Sequence, residues 1–301
     1  PPHIKAQCQP LTRVLKKSVA NRLVVTIIPQ ESDSKSVQRN RIAPKANGHT
    51  MNQAPKTNSS NKCSTCVLGQ FCIPVGLSNQ ELEKVDALIK ERISLKKGDA
   101  LYRHGNPMSS VYSVRFGTLK TEHTLADGRA QIIGFHLPGE ILGLDAIGDG
   151  YHQSDAIALE DSEACIIRFT EFESLASQIP TLQNQFHRIL SRELTQDQRH
   201  LLSLGSLRAE ERLAGFLLNL SERLTVRGYT NHELDLRMSR EEIGSYLGIQ
   251  IETVSRMLSR FAESGLIQVK QRHVKLIDIN GLYELAGLSN PGRSPEGKIC
   301  I

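Results

Sequence analysis

Ser239-Arg-Glu-Glu-Ile-Gly-Ser-Tyr-Leu-Gly248-Ile-Gln-Ile-Glu252-Thr-Val-Ser-Arg256-Met-Leu-Ser-Arg260-Phe261 is the stretch that fixes how the rest of the chain is read. Ser239 with Glu242 three residues later makes a capping box. Ile243 and Leu247 give the first segment an apolar helical face, Gly248 supplies a tight turn, and Val254, Leu258 and Phe261 bury a second helix. The pattern predicts a helix-turn-helix. It leaves Glu252, Thr253, Ser255, Arg256 and Arg260 toward solvent on the N-terminal and outer side of the second helix, where a recognition helix presents base-reading side chains. Just downstream, apolar runs at 266–269 and 274–277 flank Lys270-Gln-Arg-His273, a basic hairpin shaped like a wing. Arg256, Arg260, Lys270, Arg272, His273 and Lys275 together form a local basic face. The blander reading is a helical hairpin with a solvated polar face; the turn glycine, the caps and the basic wing favour DNA binding.

Working outward, residues 209–224 read as an amphipathic helix and 234–238 as a short strand. Upstream, a first helical turn at Glu171–Leu175 leads to Pro180, which opens a long helix at little cost because its missing N–H falls in the first turn. Leu182, Phe186, Ile189, Leu190, Leu194, Leu201 and Leu204 recur at three- and four-residue steps, with no break before Gly205. That stripe suits either a core helix or a parallel dimer seam, and its length favours the seam. Asp197 interrupts it. At a two-fold axis, paired copies of Asp197 would repel and weaken dimerisation.

Between Ile93 and Phe169 the pattern changes to short runs at 93–95, 100–102, 111–114, 118–121, 131–136, 155–159 and 164–168. Turn signals separate them, including Asp127-Gly128, a strong hairpin dipeptide. Gly98, Gly117, Gly139 and Gly143 suit tight corners. Regular short strands of this kind predict a small antiparallel β-roll or jelly roll. Before it, Ser78 and Glu81 cap a helix expected over Asn79–Arg92, with Leu82, Val85, Leu88 and Ile89 as its apolar face.

The other dense signal is Cys63-Ser-Thr-Cys66-Val-Leu-Gly-Gln-Phe-Cys72, with spacing C-x2-C-x5-C, which holds three of six cysteines. Such crowding, with no secretory leader in the sequence, points to metal rather than disulfides. Zinc and iron–sulfur clusters both take four thiolates, and the spacing alone does not choose between them. A fourth ligand must come from elsewhere. Cys165, inside the last strand run, is either a small buried hydrophobe or that ligand. Cys300 competes from a Pro/Gly-rich tail expected to be disordered.

Composition sets the outer limits. Of 37 basic and 32 acidic residues, positions 1–62 hold 11 and 2, leaving 26 and 30 for the remainder. The body is therefore slightly acidic, and the whole-chain excess of +5 says nothing about nucleic acid. Residues 1–62 lack apolar periodicity and are expected to be disordered, a solvated tail rather than a nucleic-acid arm. The first methionine is Met51, and the natural chain is expected to start there, leaving Cys8 without a role. No apolar run approaches the roughly 20 residues of a spanning helix, so a cytoplasmic location with no membrane contact is expected. The sequence shows no Gly-rich phosphate loop, no recognisable His/Glu catalytic pairing and no second cluster motif, which argues against an enzyme.

Gly134-Phe-His-Leu-Pro-Gly-Glu-Ile-Leu-Gly-Leu-Asp-Ala-Ile147, the long helix, Ala209-Glu-Glu-Arg-Leu-Ala-Gly-Phe216 and Glu252-Thr-Val-Ser-Arg256 together resemble the cyclic-AMP receptor protein superfamily. The cysteine stretch running into Cys72-Ile-Pro74 resembles its fumarate and nitrate reduction (FNR) regulator branch. The resemblance runs from about Cys63 to Gly287. It implies an α+β protein: an N-terminal antiparallel β-roll (cupin-like jelly roll) sensor domain, a long dimerisation helix and a C-terminal winged helix-turn-helix. The expected boundaries are 1–62 extension, 63–179 sensor, 180–205 dimerisation helix, 206–287 DNA-binding domain and 288–301 tail. The resemblance implies that Cys63, Cys66, Cys72 and Cys165 hold an oxygen-labile [4Fe-4S] cluster. It further implies that Glu252, Ser255 and Arg256 read TTGAT-like half-sites of a palindrome, and that Asp197 keeps the cluster-free form apart. The hairpin tip at Asp127-Gly128 falls where relatives touch RNA polymerase. The function implied is an oxygen-gated homodimeric transcription regulator; a zinc- or thiol-based, or small-effector, regulator of the same fold is the alternative. Nucleotide-binding relatives follow Pro-Gly-Glu with an Arg-Ser pair, whereas Tyr151-His-Gln-Ser-Asp-Ala156 carries no arginine to clamp a cyclic phosphate.

Overall fold

The computed structural model describes residues 62–289 except 67, 70, 71, 90, 126 and 231. The expected N-terminal extension up to residue 61, the Met51 start, Cys8, Cys300 and the tail from residue 290 lie outside the described residues.

Two four-stranded antiparallel sheets form the roll. Its strands are β1 (Glu91–Leu95), β2 (Ala100–Tyr102), β3 (Ser110–Phe116), β4 (Leu119–Thr124), β5 (Ala130–His136), β6 (Ile141–Leu142), β7 (Asp155–Ala158) and β8 (Ser162–Arg168). One sheet has the order β1-β8-β3-β6 and the other β2-β7-β4-β5. Leu95, Leu101, Val114, Leu119, Leu142, Ala156 and Ala164 fill the space between them. Because side chains alternate across a strand, the neighbours of these residues point the other way. Arg92 on β1, Cys165 on β8 and Ser113 on β3 are directly opposite one another in register, so they share the outer face of the first sheet.

That outer face is covered by α1 (Asn79–Leu88), α2 (Phe169–Ala176) and the start of α3 (Pro180–Ser206), with the cysteine stretch laid over it. Ile73, Val85, Ile89, Val111, Ile167, Phe172, Leu182 and Ile189 form this second core. Ser78 caps α1 through both halves of the expected capping box. The helix is shorter than the expected 79–92. It stops at Leu88, because Glu91–Leu95 pair with β8 and are drawn into the sheet.

The long helix α3 runs through Gly205 to Ser206. Its apolar stripe, expected as one dimer seam, divides in two. Leu182 and Ile189 are buried in the chain's own core, and Phe186 packs on Phe172 with ring centroids 4.8 Å apart. Leu182 and Ile189 are therefore core rather than interface, and Phe186 is partly buried against the same core. Leu194 and Leu201 are 60% and 68% exposed, and Leu190 is half-buried. Periodicity alone could not separate the halves, since core and partner surface demand the same spacing.

The C-terminal part holds α4 (Ala209–Thr225), β9 (Glu233–Asp235), α5 (Arg240–Leu247), α6 (Ile251–Glu263), β10 (Ile267–Lys270), β11 (His273–Leu276) and α7 (Ile279–Leu285), the last not foreseen. A three-stranded sheet of order β10-β11-β9 forms the wing. Its core joins Leu213, Leu217, Ile243, Val254, Leu258 and Phe261 to Ile132, Phe135 and Leu137 of the roll.

Candidate functional site

Successive tight turns fold the cysteine stretch. Cys66 N–H donates to Cys63 O, Gly69 N–H to Cys66 O and Cys72 N–H to Leu68 O, each at 3.1 Å. Asp86 of α1 ties the stretch down: one carboxylate oxygen accepts from the backbone N–H groups of Cys63 and Ser64, and the other accepts from the Ser64 hydroxyl at 2.7 Å. The result brings Cys63, Cys66 and Cys72 into one pocket with Cys165, walled by Leu68, Pro74, Ile89, Ser113, Val114 and Arg115. Residues 93 or more positions apart in sequence are thus pooled on the outer face of one sheet. None of the four is in a disulfide.

Cys165 is half-buried rather than a core hydrophobe. Burial pushes the Cys63 thiol well up, reinforced by Cys72, Cys165 and Asp86. Burial also pushes Cys72 up to about 11, against a hydrogen bond from Ser113 at 3.0 Å. The Cys165 thiol is raised by burial too, opposed by Arg92 and Arg115. Both arginines reach Glu163, at 3.5 and 2.6 Å. No three His, Cys, Asp or Glu side chains among the described residues stand so as to hold a metal ion.

The recognition segment matches its expected placement in part. Ser239 and Glu242 form the capping box, and Gly248 closes α5 with φ +62°. Gly244 matters as much: a Cβ there would sit 2.5 Å from Ile249 O, so only glycine lets α5 approach the turn. Arg212 Nη1 donates to Leu247 O at 2.7 Å and satisfies the helix end. Glu252, Arg256 and Arg260 are exposed. Thr253 and Ser255 are half-buried instead of open to solvent: Thr253 accepts from Arg256 at 3.0 Å and Ser255 from Arg240 at 3.1 Å. Arg260 is paired with Glu210.

A third constellation escaped the sequence reading. Glu140 accepts from Leu137 N at 3.0 Å, from Arg223 Nε at 3.1 Å and from Arg227 Nη2 at 2.7 Å, with Arg223 on α4 and Arg227 in the turn that follows it. Burial would raise its pKa, but Arg223 and Arg227 overturn this and hold the carboxyl at about 2. Nearby on α3, Glu193 is raised to about 7 by burial and by Glu140 and Asp197, against Arg223 and Arg192. Lys120 of β4 bridges to Glu242 of α5 at 3.2 Å. The pairing of Glu140 with residues 83 and 87 positions away left no local signal.

Residues 211–285 match the Crp-like helix-turn-helix domain, and residues 92–178 the cyclic nucleotide-binding domain. The transcriptional regulatory protein btr of Bordetella pertussis is 51% identical over 235 residues, which is 78% of this chain and 97% of that protein. The fumarate and nitrate reduction regulatory protein of Escherichia coli K12 is 41% identical over 225 residues, 75% of this chain and 90% of that one. The chain belongs to the CRP/FNR family of transcription regulators. Within that family, the solved structure of FixK2 from Bradyrhizobium japonicum is 31% identical with a TM-score of 0.62, covering 66% of this chain and 98% of that one. The β-roll followed by helices and a helix-turn-helix is thus the CRP/FNR fold, and its C-terminal part is a DNA-binding domain. Among the described residues, no helix is long and apolar enough to cross a membrane.

Proposed function

We propose that this CRP/FNR-family regulator is gated by oxygen through a [4Fe-4S] cluster held by Cys63, Cys66, Cys72 and Cys165, and that it binds its operators as a homodimer. The observation that carries the reading is the meeting of a three-cysteine loop with a strand cysteine in one pocket. The donor set fits the group. Four thiols without a disulfide are gathered there; burial disfavours ionisation of Cys63, Cys72 and Cys165, and metal coordination reverses that preference. In a cluster each thiolate has its own iron, so the sulfurs need not converge on a single point as they must around zinc. When bound, the cluster supplies iron centres that take four thiolates and that oxygen can dismantle.

The chain's own residues do the rest. With the cysteine loop tied to Cys165, α1 and α2 are held on the outer face of the roll, against the same core that seats Leu182 and Ile189 of α3. The exposed second half of α3, with Leu190, Leu194 and Leu201, then serves as the pairing surface. Its association must outweigh repulsion between paired Asp197 side chains. Pairing sets two α6 helices about 34 Å apart, one turn of DNA. Glu252, Ser255 and Arg256 read TTGAT-like half-sites, with Thr253 and Arg260 supporting. The β4–β5 hairpin tip, where Arg129 pairs with Asp127 at 2.7 Å, offers the contact to RNA polymerase. Release of the loop in air loosens this packing and separates the subunits, giving an aerobic/anaerobic switch.

The test is an anaerobic preparation followed by absorption, iron content and oligomer size during air exposure. Straw-brown protein with about four irons per chain, bleaching as the dimer dissociates, is expected. An iron-free preparation, or pairing and operator affinity that survive removal of iron, overturns the reading; zinc in place of iron would return the alternative of a zinc- or thiol-based regulator.

A further inference from the structure

Ser113 sits where the sheet has no evident use for a hydroxyl. It is 3% exposed, in the middle of β3, flanked in register by Cys165 of β8 and Ile141 of β6. The strand around it is Val111-Tyr-Ser-Val114, and a small apolar side chain would complete the same surface. A buried hydroxyl without a partner costs stability, so its partner identifies its use. That partner is the Cys72 sulfur, with Sγ and Oγ 3.0 Å apart and both residues buried. One serine therefore stands beside the strand cysteine in the sheet and bonds the loop cysteine with its hydroxyl.

We propose that Ser113 is a positioning residue for the thiol site. Its hydroxyl holds the Cys72 sulfur against β3 and, when that sulfur is a metal-bound thiolate, donates a hydrogen bond to it. This rests on the iron–sulfur reading above and deepens it. A thiolate has no proton to donate, so the hydroxyl becomes the donor, and a donor to a ligating sulfur draws electron density from the metal. Hydrogen bonds to the sulfurs are among the terms that set how readily such a centre is oxidised. Ser113 thereby slows the response to air, at a contact no other loop cysteine shares among the described hydrogen bonds.

Ser113→Ala and Ser113→Thr separate this from a packing role. Both variants and the parent are prepared without oxygen. Iron content, bleaching time in a fixed dose of air and the iron–thiolate stretching frequencies by resonance Raman are then compared. Ser113→Ala is expected to keep its iron, to bleach about two- to fivefold faster and to shift one iron–thiolate band, as loss of a single outer-sphere contact does. Ser113→Thr, which keeps a hydroxyl, is expected to restore the parent's bleaching time and spectrum. Matching spectra and bleaching times in Ser113→Ala and the parent, or a Ser113→Thr protein that behaves like Ser113→Ala, would overturn the proposal while leaving the iron–sulfur reading standing. A parent protein without iron would overturn both.

Discussion

Glu140 and the thiols of Cys63, Cys72 and Cys165 are acids taken out of water on the same roll, yet their surroundings act in opposite directions. Glu140 is met by two arginines and a backbone N–H from within the chain, and its carboxyl is held at about 2. Around the thiols, burial and mutual repulsion prevail over Arg92 and Arg115, and Cys63, Cys72 and Cys165 are all pushed up. An acid that carries its own counter-charge is a fixed tie that needs no ion from solution. An acid cluster that resists ionisation is one whose state an arriving metal cation can change. Glu140 thus serves as a joint between the roll and the segment of α4 and its following turn, while on the proposed reading the responsive chemistry belongs to the four thiols on the outer face of the first sheet.

The sharpest way to break this contrast is Cys165→Ala. On the proposed reading the anaerobic protein falls from about four irons per chain to near none, while the roll still folds, and iron analysis beside circular dichroism checks both halves. Next in size is Arg223→Ala, which strips one cation from a buried carboxylate; loss of one partner of such a pair costs about 3–5 kcal/mol, and Arg227 should hold the effect to the lower end. Urea denaturation of the iron-free chain reads it, and a Glu140→Leu/Arg223→Met double variant should lie closer to the parent.

The two carboxyls at the joint should also titrate differently. Glu193 has a folded pKa of about 7, above its ordinary value. Folding therefore favours its proton, and stability falls as pH rises from about 4.5 to 7 before levelling. Glu193→Gln should match the parent at pH 4.5 and exceed it by at most about 2–3 kcal/mol at pH 8. Glu140, held at about 2, runs the other way. Its contribution is complete above pH about 4.5 and is lost only as pH falls toward 2, so thermal melts between pH 6 and 8 should show no slope from it. The smallest effect expected is Arg256→Ala, which should cost on the order of 1–3 kcal/mol of base discrimination without touching iron content or either buried site, as operator-variant titrations would show.

What could be read from the residues alone was what is local. The α5 capping box, the Gly248 turn and the C-x2-C-x5-C spacing each lie within a short window, and each holds in the structure as a cap, a left-handed turn or a set of stacked turns. The antiparallel roll was legible from strand spacing, though β6 is too short to signal and α7 was missed. Tertiary choices were hidden. The stretch after Leu88 reads as helix until β8 recruits it as a strand. Leu182 and Leu194 are chemically alike, and only packing assigns one to the core and leaves the other exposed. Arg223 in an amphipathic helix and Arg227 just past its end look like ordinary surface charges until the fold sets Glu140 beneath them.

The division of α3 has a mechanical consequence. Ile189 is clamped in the core and Leu201 stands free, twelve residues farther along the same helix, a rod of about 18 Å at 1.5 Å per residue. A tilt of about 5° at the clamped root would swing the free tip by roughly 1.5 Å over that rod. On the proposed pairing through this tip, a gap of about 0.5–1 Å between packed side chains already forfeits a quarter to a half of their attraction, so a shift too small to disturb the roll would weaken the contact between two such tips.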